Sequence, residues 1–307
     1  MSTLIPLFSV PTIGELKIQF GIKKGIFGDF KDNTLIGTEN NDYISDRAGN
    51  DHVEGRAGND ILNGTGTDGL LNAPANDWFS GGEGNDYLFG RAGNDTLLGD
   101  NGNDMLLGDS GDDSLLGGNG ADSINGSTGK DTINGGHGAD LLFGSTGDDS
   151  INGASGADKI SGGDGQDNIY GGDGDDLIEG NTGMDTIYGH AGNDTLFGND
   201  GFDTIYGGSG DDVIYGGKGN DVLYDGAGAD TLTGDSGSDH FVFTLDGGII
   251  TDFGGGDRIN LAAYATTFDQ LTISVADGDT TVAVNPATTI TLDNYVAGLS
   301  AIDFIFA

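Results

Sequence analysis

The sequence predicts an all-β solenoid in which short parallel strands stack on copies of themselves. The first observation is a repeat: residues 37–242 divide into 23 units, nearly all of nine residues. The second is an apolar residue at position 8 of each unit, and the third is glycine at positions 1 and 4 of most units. A three-residue strand is unstable alone, so it must pair with equivalent strands in a repeating stack.

The composition favours cation binding over an ordinary packed globule. Glycine supplies 61 of 307 residues, hydrophobic residues only 35%, and the formal net charge is −39. A chain this acidic repels nucleic acid and anionic membrane surfaces. It contains no cysteine, so disulfides and thiol chemistry are excluded. Composition alone would also allow disorder, but the sustained repeat indicates a folded chain when a counter-ion is present.

The residues before the first full repeat predict a cap. The opening stretch MSTLIPLFSVPTIGELKIQF has no basic start, and Pro6 and Pro11 break its apolar run, so it does not resemble an export signal. No stretch approaches the roughly 18 apolar residues of a membrane span. Residues 28–36, GDFKDNTLI, are a decayed unit with Asn33 in the usual aspartate position. We therefore expect residues 1–36 to form an N-terminal segment that caps the first turn.

Each unit combines a glycine turn with a strand. Glycines at positions 1 and 4 permit positive φ, so the first six residues are predicted to turn sharply. Positions 7 to 9 are β-branched or aliphatic and are predicted to form the strand, with position 8 facing inward and positions 7 and 9 facing water. Two units complete one turn, and strands 18 residues apart pair in parallel at about 4.8 Å. The 23 units would make about eleven turns.

One stretch of the predicted roll is irregular. Eighteen units follow one another without an insertion from Gly81 to Val242. Residues 64–80 number seventeen, one short of two units, and Gly69 stands where an aspartate is expected. We interpret them as one degenerate turn with a deletion, in which Gly69 leaves calcium sites missing on that edge.

Aspartate at position 6 creates columns of like charge. Asp167, Asp185 and Asp203 would stand in one column of the stack. Neighbouring carboxylates repel by about 1 kcal/mol in water and about 3–4 kcal/mol at an effective dielectric of 20. Over the whole stack this exceeds the usual folding stability of about 5–15 kcal/mol. Divalent cations between the loops would reverse the sign, and a cage of carboxylates and turn carbonyls suits Ca²⁺ better than Mg²⁺ or Zn²⁺.

The unit resembles the nonapeptide G-G-x-G-x-D-x-U-x of the repeats-in-toxin (RTX), or haemolysin-type calcium-binding, family. Residues 162–170, GGDGQDNIY, and 207–215, GGSGDDVIY, fit it at every defined position. The resemblance implies a right-handed parallel β-roll with Ca²⁺ held between neighbouring turns. It also implies type I secretion directed by an uncleaved C-terminal signal.

The resemblance also assigns ligands. The position-6 aspartate is the family's side-chain ligand, and loop carbonyls complete the shell. The regular units supply Asp86, Asp95, Asp104, Asp113, Asp122, Asp131, Asp140, Asp149, Asp158, Asp167, Asp176, Asp185, Asp194, Asp203, Asp212, Asp221, Asp230 and Asp239. Irregular loops supply Asp42, Asp51, Asp60 and Asp77. Pairing each regular unit with the second one after it predicts about sixteen calcium ions.

The C-terminal residues 243–307 predict a small antiparallel β cap. Apolar residues alternate in LTISV and TVAV, and the turn signal Asp277-Gly278 lies between these stretches. Such a cap would cover the exposed edge of the last turn. The final IDFIFA resembles the apolar tail of type I secretion signals.

No catalytic constellation is evident. His52, His137, His190 and His240 all lie within repeats and lack metal-ligand spacing, so we interpret them as surface substitutions. GDSGD at 108–112 resembles a serine-protease nucleophile loop, but the repeat accounts for it. The leading hypothesis is a secreted, extracellular, non-catalytic calcium-binding protein with a structural or surface-associated role. Its partners would be calcium ions and the type I export machinery.

Two further hypotheses stay open. Tyr170, Tyr188, Tyr206 and Tyr224 occupy position 9 at intervals of 18, and would form either a stabilising aromatic ladder or a stripe that binds a glycan or another partner. Thr128, Thr146 and Thr182 lie at position 3 of one edge, as in some ice-binding RTX adhesins, although Asp164 and Asp200 interrupt that array. The remaining hypothesis is a non-catalytic fragment of a secreted enzyme or toxin.

Overall fold

The computed structural model describes residues 17, 19, 21–22, 25–29, 31–46, 49–64, 75–244, 246–264, 266–285, 288–295 and 298–306. The chain divides into two compact units, Met1–Gly163 and Asp164–Ala307. Both are built from short β-strands that pair mainly in parallel, which confirms the all-β solenoid. Among the described residues, no helix has the length and apolar character needed to cross a membrane.

The first unit contains two parallel sheets whose strands alternate along the chain. Odd-numbered strands form one sheet in the order β1-β3-β5-β7-β9-β11-β13-β15, and even-numbered strands form the other in the order β2-β4-β6-β8-β10-β12-β14. The strands are β1 (Ile26–Phe27), β2 (Thr34–Ile36), β3 (Tyr43–Ser45), β4 (His52–Ala57), β5 (Ile61–Asn63), β6 (Trp78–Glu83), β7 (Tyr87–Ala92), β8 (Thr96–Asn101), β9 (Met105–Ser110), β10 (Ser114–Asn119), β11 (Ser123–Thr128), β12 (Thr132–His137), β13 (Leu141–Thr146), β14 (Ser150–Ser155) and β15 (Lys159–Asp164).

The second unit continues the same alternation and ends in an antiparallel hairpin. Its sheets have the orders β17-β19-β21-β23-β25-β29-β28-β27 and β16-β18-β20-β22-β24-β26-β30. The strands are β16 (Asn168–Asp173), β17 (Leu177–Gly183), β18 (Thr186–Ala191), β19 (Thr195–Gly201), β20 (Thr204–Ser209), β21 (Val213–Lys218), β22 (Val222–Ala227), β23 (Asp230–Ser236), β24 (His240–Val242), β25 (Gly248–Ile250), β26 (Arg258–Asn260), β27 (Thr272–Ala276), β28 (Asp279–Ala283), β29 (Thr289–Leu292) and β30 (Phe304–Ile305). Three 3₁₀ helices accompany them: η1 (Ala262–Tyr264), η2 (Phe268–Gln270) and η3 (Ala301–Asp303).

The predicted antiparallel cap is confirmed. Strands β27 and β28 pair in antiparallel register around the turn at Asp277-Gly278, and β28 pairs in the same way with β29. The parallel ladders nevertheless extend beyond the repeats, because β25 pairs with β23 and β26 pairs with β24. Parallel pairing also begins before residue 37, with β1 and β2. The solenoid turns therefore number about 12 and not eleven.

The irregular stretch 64–80 fills one unit and not a shortened turn of two. Regular strands pair with an offset of 18 residues, as Ser114 does with Thr132. Across this stretch His52 pairs with Trp78 and Ile61 pairs with Tyr87, an offset of 26. Neighbouring strands are thus separated here by eight more residues than in the regular repeats. The prediction of a degenerate turn was wrong, and Gly69 lies outside the described residues.

Strands in the repeats are longer than predicted. A typical strand, Thr96–Asn101, covers positions 7 to 9 and continues through positions 1 to 3 of the next unit. Positive φ occurs at positions 2 and 4 and not at position 1 as predicted: Arg91 has φ 85° and Gly93 has φ 134°. Position 2 thus places non-glycine residues in the left-handed region, which costs about 1–2 kcal/mol per residue.

The interior holds one column of apolar side chains from each sheet. The position-8 residues of the repeats, such as Leu97, Ile133 and Ile187, are at most 1% exposed, as predicted. Positions 7 and 9 are half-buried or exposed in most units. Position 8 buries only one apolar side chain in each nine residues. The loops must therefore supply the rest of the stability.

Candidate calcium-binding loops

The position-6 aspartates form continuous columns in which each turn bonds to the next. The backbone N–H of one aspartate donates to Oδ1 of the aspartate one turn later, as from Asp86 to Asp104 at 2.7 Å and from Asp185 to Asp203 at 2.9 Å. The same bond crosses the irregular stretch, from Asp51 to Asp77 at 2.9 Å. The column therefore misses no carboxylate there, and the predicted gap in the sites was wrong.

These side chains are buried although they are charged groups. All the predicted ligands except Asp42 are at most 4% exposed. Asp42 is half-buried, and its Oδ2 accepts hydrogen bonds from the N–H and hydroxyl of Thr38. In most of the others Oδ2 is buried and has no hydrogen-bond partner among the described residues. This holds for Asp51, Asp60, Asp86, Asp95, Asp104, Asp113, Asp122, Asp131, Asp140, Asp185, Asp194, Asp203, Asp212, Asp221 and Asp230.

Position 1 is glycine because oxygens converge on it. A β-carbon on Gly99 would lie 2.5 Å from Oδ2 of Asp104 and 2.5 Å from the carbonyl oxygen of Gly117, the position-1 residue of the next turn. The same pair of contacts surrounds Gly117 itself, with Asp122 and Gly135. Glycine is therefore favoured at position 1 by the close approach of these oxygens, and not by a positive φ.

Position 4 brings the turns together. Gly102 has φ 146°, and a β-carbon there would lie 1.5 Å from the carbonyl oxygen of Gly84 in the preceding turn. Successive loops thus stack backbone on backbone, with their carbonyl and carboxylate oxygens close to one another.

The donor set fits calcium. An unpaired buried carboxylate oxygen is costly unless it is neutralised or binds a cation. The oxygens that converge on position 1 are carboxylates and carbonyls, the hard donors that Ca²⁺ prefers, and Ca²⁺ tolerates irregular arrangements of six to eight of them.

Comparison with known proteins agrees with this chemistry. A family model described as the RTX calcium-binding nonapeptide repeat matches residues 27–69, 74–106, 107–142, 135–169, 143–178, 170–205 and 206–241, more than half of the chain. The chain belongs to the RTX calcium-binding repeat family. Its repeats therefore bind calcium, as that family's do. No curated protein matches the chain.

Two solved structures are similar to parts of this RTX chain. The AlgE6R3 subunit of the Azotobacter vinelandii mannuronan C5-epimerase is 27% identical, with a TM-score of 0.32 over 45% of this chain and 81% of that one. The extracellular lipase LipA from Serratia marcescens is 20% identical, with a TM-score of 0.30 over 81% of this chain and 45% of that one.

The electrostatics of the columns favour protonation when no cation is bound. Burial raises the pKa of Asp60 and Asp104 to about 8, with the repulsion of neighbouring aspartates adding to the effect of burial and the backbone N–H donor opposing it. Burial likewise raises the pKa of Asp203 to about 7 and that of Asp185 to about 6. Calcium must therefore displace protons from these carboxyl groups near neutral pH.

The structure adds three aspartates to those predicted. Asp257 continues one column, because the N–H of Asp239 donates to its Oδ1 at 2.9 Å. Its position, 18 residues after Asp239, follows Gly254-Gly255-Gly256 and precedes Ile259, so the repeat phase could have revealed it. Asp46 and Asp225 replace the position-1 glycine and are buried, at 1% and 0% exposure. Sequence reasoning treated position 1 as a turn and missed them.

The predicted surface features are present. Tyr170, Tyr188, Tyr206 and Tyr224 form a stacked ladder with centroid separations of 5.0, 4.6 and 4.3 Å. Thr128 pairs with Thr146, and Thr182 pairs with Asp200. The histidines occupy the surface: His52 stacks on Trp78, His190 lies beside Tyr188, and His137 bonds Ser155.

Proposed function

We propose that this chain is a secreted, non-catalytic calcium-binding β-roll with a structural or surface-associated role, and that it folds on exposure to extracellular calcium. The observation that carries the proposal is the column of buried carboxylate oxygens that lack hydrogen-bond partners. Calcium would satisfy these oxygens and remove the repulsion along each column. The ligands proposed are the 22 position-6 aspartates named above, and the ions number about sixteen on the regular units.

Calcium removal tests the proposal directly. Circular dichroism in chelator and in about 5 mM Ca²⁺, a level above the weak-site range, should show a disordered chain becoming β-structured. Mg²⁺ at the same concentration is the control, and it should not restore the β signal because it demands octahedral geometry and dehydrates reluctantly. Elemental analysis of the folded protein gives the ion count. An unchanged β signal in chelator would refute calcium-dependent folding.

Export through a type I system is the second part of the proposal. The support is the resemblance of the repeats and of the final IDFIFA to type I substrates. Deletion of residues 243–307 should leave the chain inside the producing cell, but it also removes strands that continue the ladders. Fusion of residues 243–307 to an unrelated folded reporter is therefore the sharper test. Retention of the reporter in cells that carry the exporter would contradict it.

A glycan- or ice-binding role remains the alternative, and two observations weigh against it. Tyr188 and Tyr206 have both ring faces covered by neighbouring rings, which leaves no inner face for a sugar to stack on. Thr182 is flanked in its ladder by Asp164, whose carboxylate accepts its hydroxyl, and by Asp200. Neither a continuous aromatic platform nor a continuous threonine array is offered. A glycan array and an ice-affinity assay on the calcium-loaded protein test this alternative.

A further inference from the structure

Asp46 departs from the repeat at a position where the loops normally leave no room for a side chain. It occupies position 1 of residues 46–54 and directly follows β3, where nearly every other unit has glycine. The residue is 1% exposed, so its carboxylate lies inside the loop and not in solvent. Its side chain shares a hydrogen bond with that of Asp77, and the ionised form of a group buried in this way is costly unless a cation neutralises it.

Three carboxylates of the first unit meet at this loop. Asp46, Asp51 and Asp77 each offer one oxygen, and these oxygens all lie within 4.8 Å of one another. Asp51 and Asp77 are the position-6 residues of adjacent turns, placed just before β4 and β6. An ordinary interloop site has only such a pair. Asp46 therefore adds a third carboxylate.

One carboxylate oxygen of the cluster residues is buried and unpaired. Oδ2 of Asp51 is buried and has no hydrogen-bond partner among the described residues, while Oδ1 accepts the N–H of Asn33. In the next nine-residue repeat, residues 55–63, Oδ2 of Asp60 lies 2.5 Å from where a β-carbon on Gly55 would stand. Position 1 and the position-6 carboxylate of one loop therefore lie close together, and the carboxylate oxygens of Asp46 and Asp51 lie within 4.8 Å of each other. A cation is the partner that suits an oxygen in this setting.

We propose that Asp46, Asp51 and Asp77 form a three-carboxylate calcium site that fills before the two-carboxylate sites of the regular repeats. The inference rests on the proposed calcium-dependent function and deepens it. The affinity of oxygen-ligand sites is tuned by the charge of their ligands, and a third carboxylate raises it. In a solenoid each repeat contacts only its neighbours, so the first filled site orders the turns beside it first.

Trp78 supplies a local probe of this site. It is the only tryptophan of the chain and follows Asp77 directly. Tb³⁺ occupies calcium sites made of oxygen ligands and emits when a nearby indole is excited. Titration of the full chain with Tb³⁺ under tryptophan excitation therefore reports the filling of this loop. Asp46→Gly restores the glycine of the other repeats. The control is Asp112→Asn, which also removes one charge and lies at an exposed loop position of the same compact unit, Met1–Gly163.

The expected result is a rise of about tenfold or more in the Tb³⁺ midpoint of Asp46→Gly, in line with the dependence on ligand charge, and no change in Asp112→Asn. Equal midpoints for the wild type and Asp46→Gly would overturn the inference while leaving calcium-dependent folding intact. A wild-type chain that folds equally in chelator would refute the proposed function itself. Should Asp46→Gly not fold at saturating calcium, Asp46→Asn keeps the side-chain volume, removes the charge and should show the same rise.

Discussion

The repeats of the second unit, up to residue 242, and the segment 243–306 that follows extend the same two ladders but are stabilised differently. In the repeats, every nine residues bury an apolar side chain at position 8 and an aspartate at position 6. In the following segment one column ends, because Gly248 stands opposite Asp230, and the other column ends at Asp257. Aromatic and aliphatic side chains then fill the interior, among them Phe243, Phe253, Ile290, Leu292 and Phe304.

This difference shows that a parallel ladder of short strands can be stabilised in two ways. Where loops approach backbone to backbone, oxygens converge and must be neutralised by a cation or by protons. Where large apolar side chains fill the interior, their burial contributes about 25 cal/mol of stabilising free energy per Å² without any ion. We therefore expect the repeats to respond to calcium and protons, and the following segment to respond to changes in packing.

The largest expected effect is a dependence of the calcium-free repeats on pH. The pKa values of Asp203, Asp212 and Asp239 are raised from 3.8 to about 7, chiefly by burial. A carboxyl group whose pKa is raised in the folded state stabilises the fold at pH values below its unfolded-state pKa. This stabilisation is lost as the pH rises through the folded-state pKa. In chelator the repeats should thus be more ordered at about pH 5 than at about pH 8, since the pKa shifts span this range.

The same pKa shifts reverse the trend when calcium is present. Protons and calcium compete for the carboxylates, so the calcium midpoint for folding should rise as the pH falls from about 8 to about 5.5. Far-UV circular dichroism across a calcium and pH grid measures both effects. More β-structure at pH 8 than at pH 5 in chelator would break the comparison between the two regions.

Asp185→Ala is the next largest change. Asp185 donates its N–H to Asp203 and accepts the N–H of Asp167, so we expect it to contribute to two interloop sites. Loss of two ions at a concentration of about 100 times their dissociation constant removes about 5 kcal/mol of stabilisation. The calcium midpoint should rise and the bound-ion count should fall.

Asp175→Ala is the matched control, because Asp175 is an exposed loop carboxylate that accepts the N–H of Asn193 and lies outside the column. Calcium midpoints and ion counts for the two variants separate a ligand from a general charge effect. Equal ion loss in both would mean that position 6 is not the ligand.

Phe243→Ala probes the other region. Phe243 is fully buried just beyond the last repeat, and truncation of a buried phenylalanine costs about 3–5 kcal/mol. The loss should appear as a lower urea midpoint in saturating calcium, with an unchanged ion count. A drop in bound calcium comparable to that of Asp185→Ala would show that the segment is part of the ion array.

The smallest effect is expected in the tyrosine ladder. Tyr206 stacks on Tyr188 and Tyr224, and each aromatic pair contributes about 0.5–1.5 kcal/mol beyond area burial. Tyr206→Leu should therefore lower stability by about 1–3 kcal/mol, since two pairs are lost. The ion count and the calcium midpoint of the distant loops should not change. A full loss of folding would assign the ladder a larger role than stabilising the sheet.

The solenoid, the inward apolar column and the alignment of the aspartates could all be predicted from the amino-acid sequence. These follow from a local pattern, because each repeat contacts only its neighbours and nine residues contain all the information for one unit. The antiparallel cap was likewise readable, because the Asp277-Gly278 turn and the alternating strands are local signals.

The pairing of strands across the interruption could be established only from the three-dimensional structure. Nothing in residues 64–80 states that His52 pairs with Trp78, or that Asp46, Asp51 and Asp77 meet, since register across an insertion depends on distant strands and not on local propensity. The role of the position-1 glycine was also hidden. A sequence shows that glycine is present, but only the stacked loops show that converging oxygens, and not a positive φ, require it.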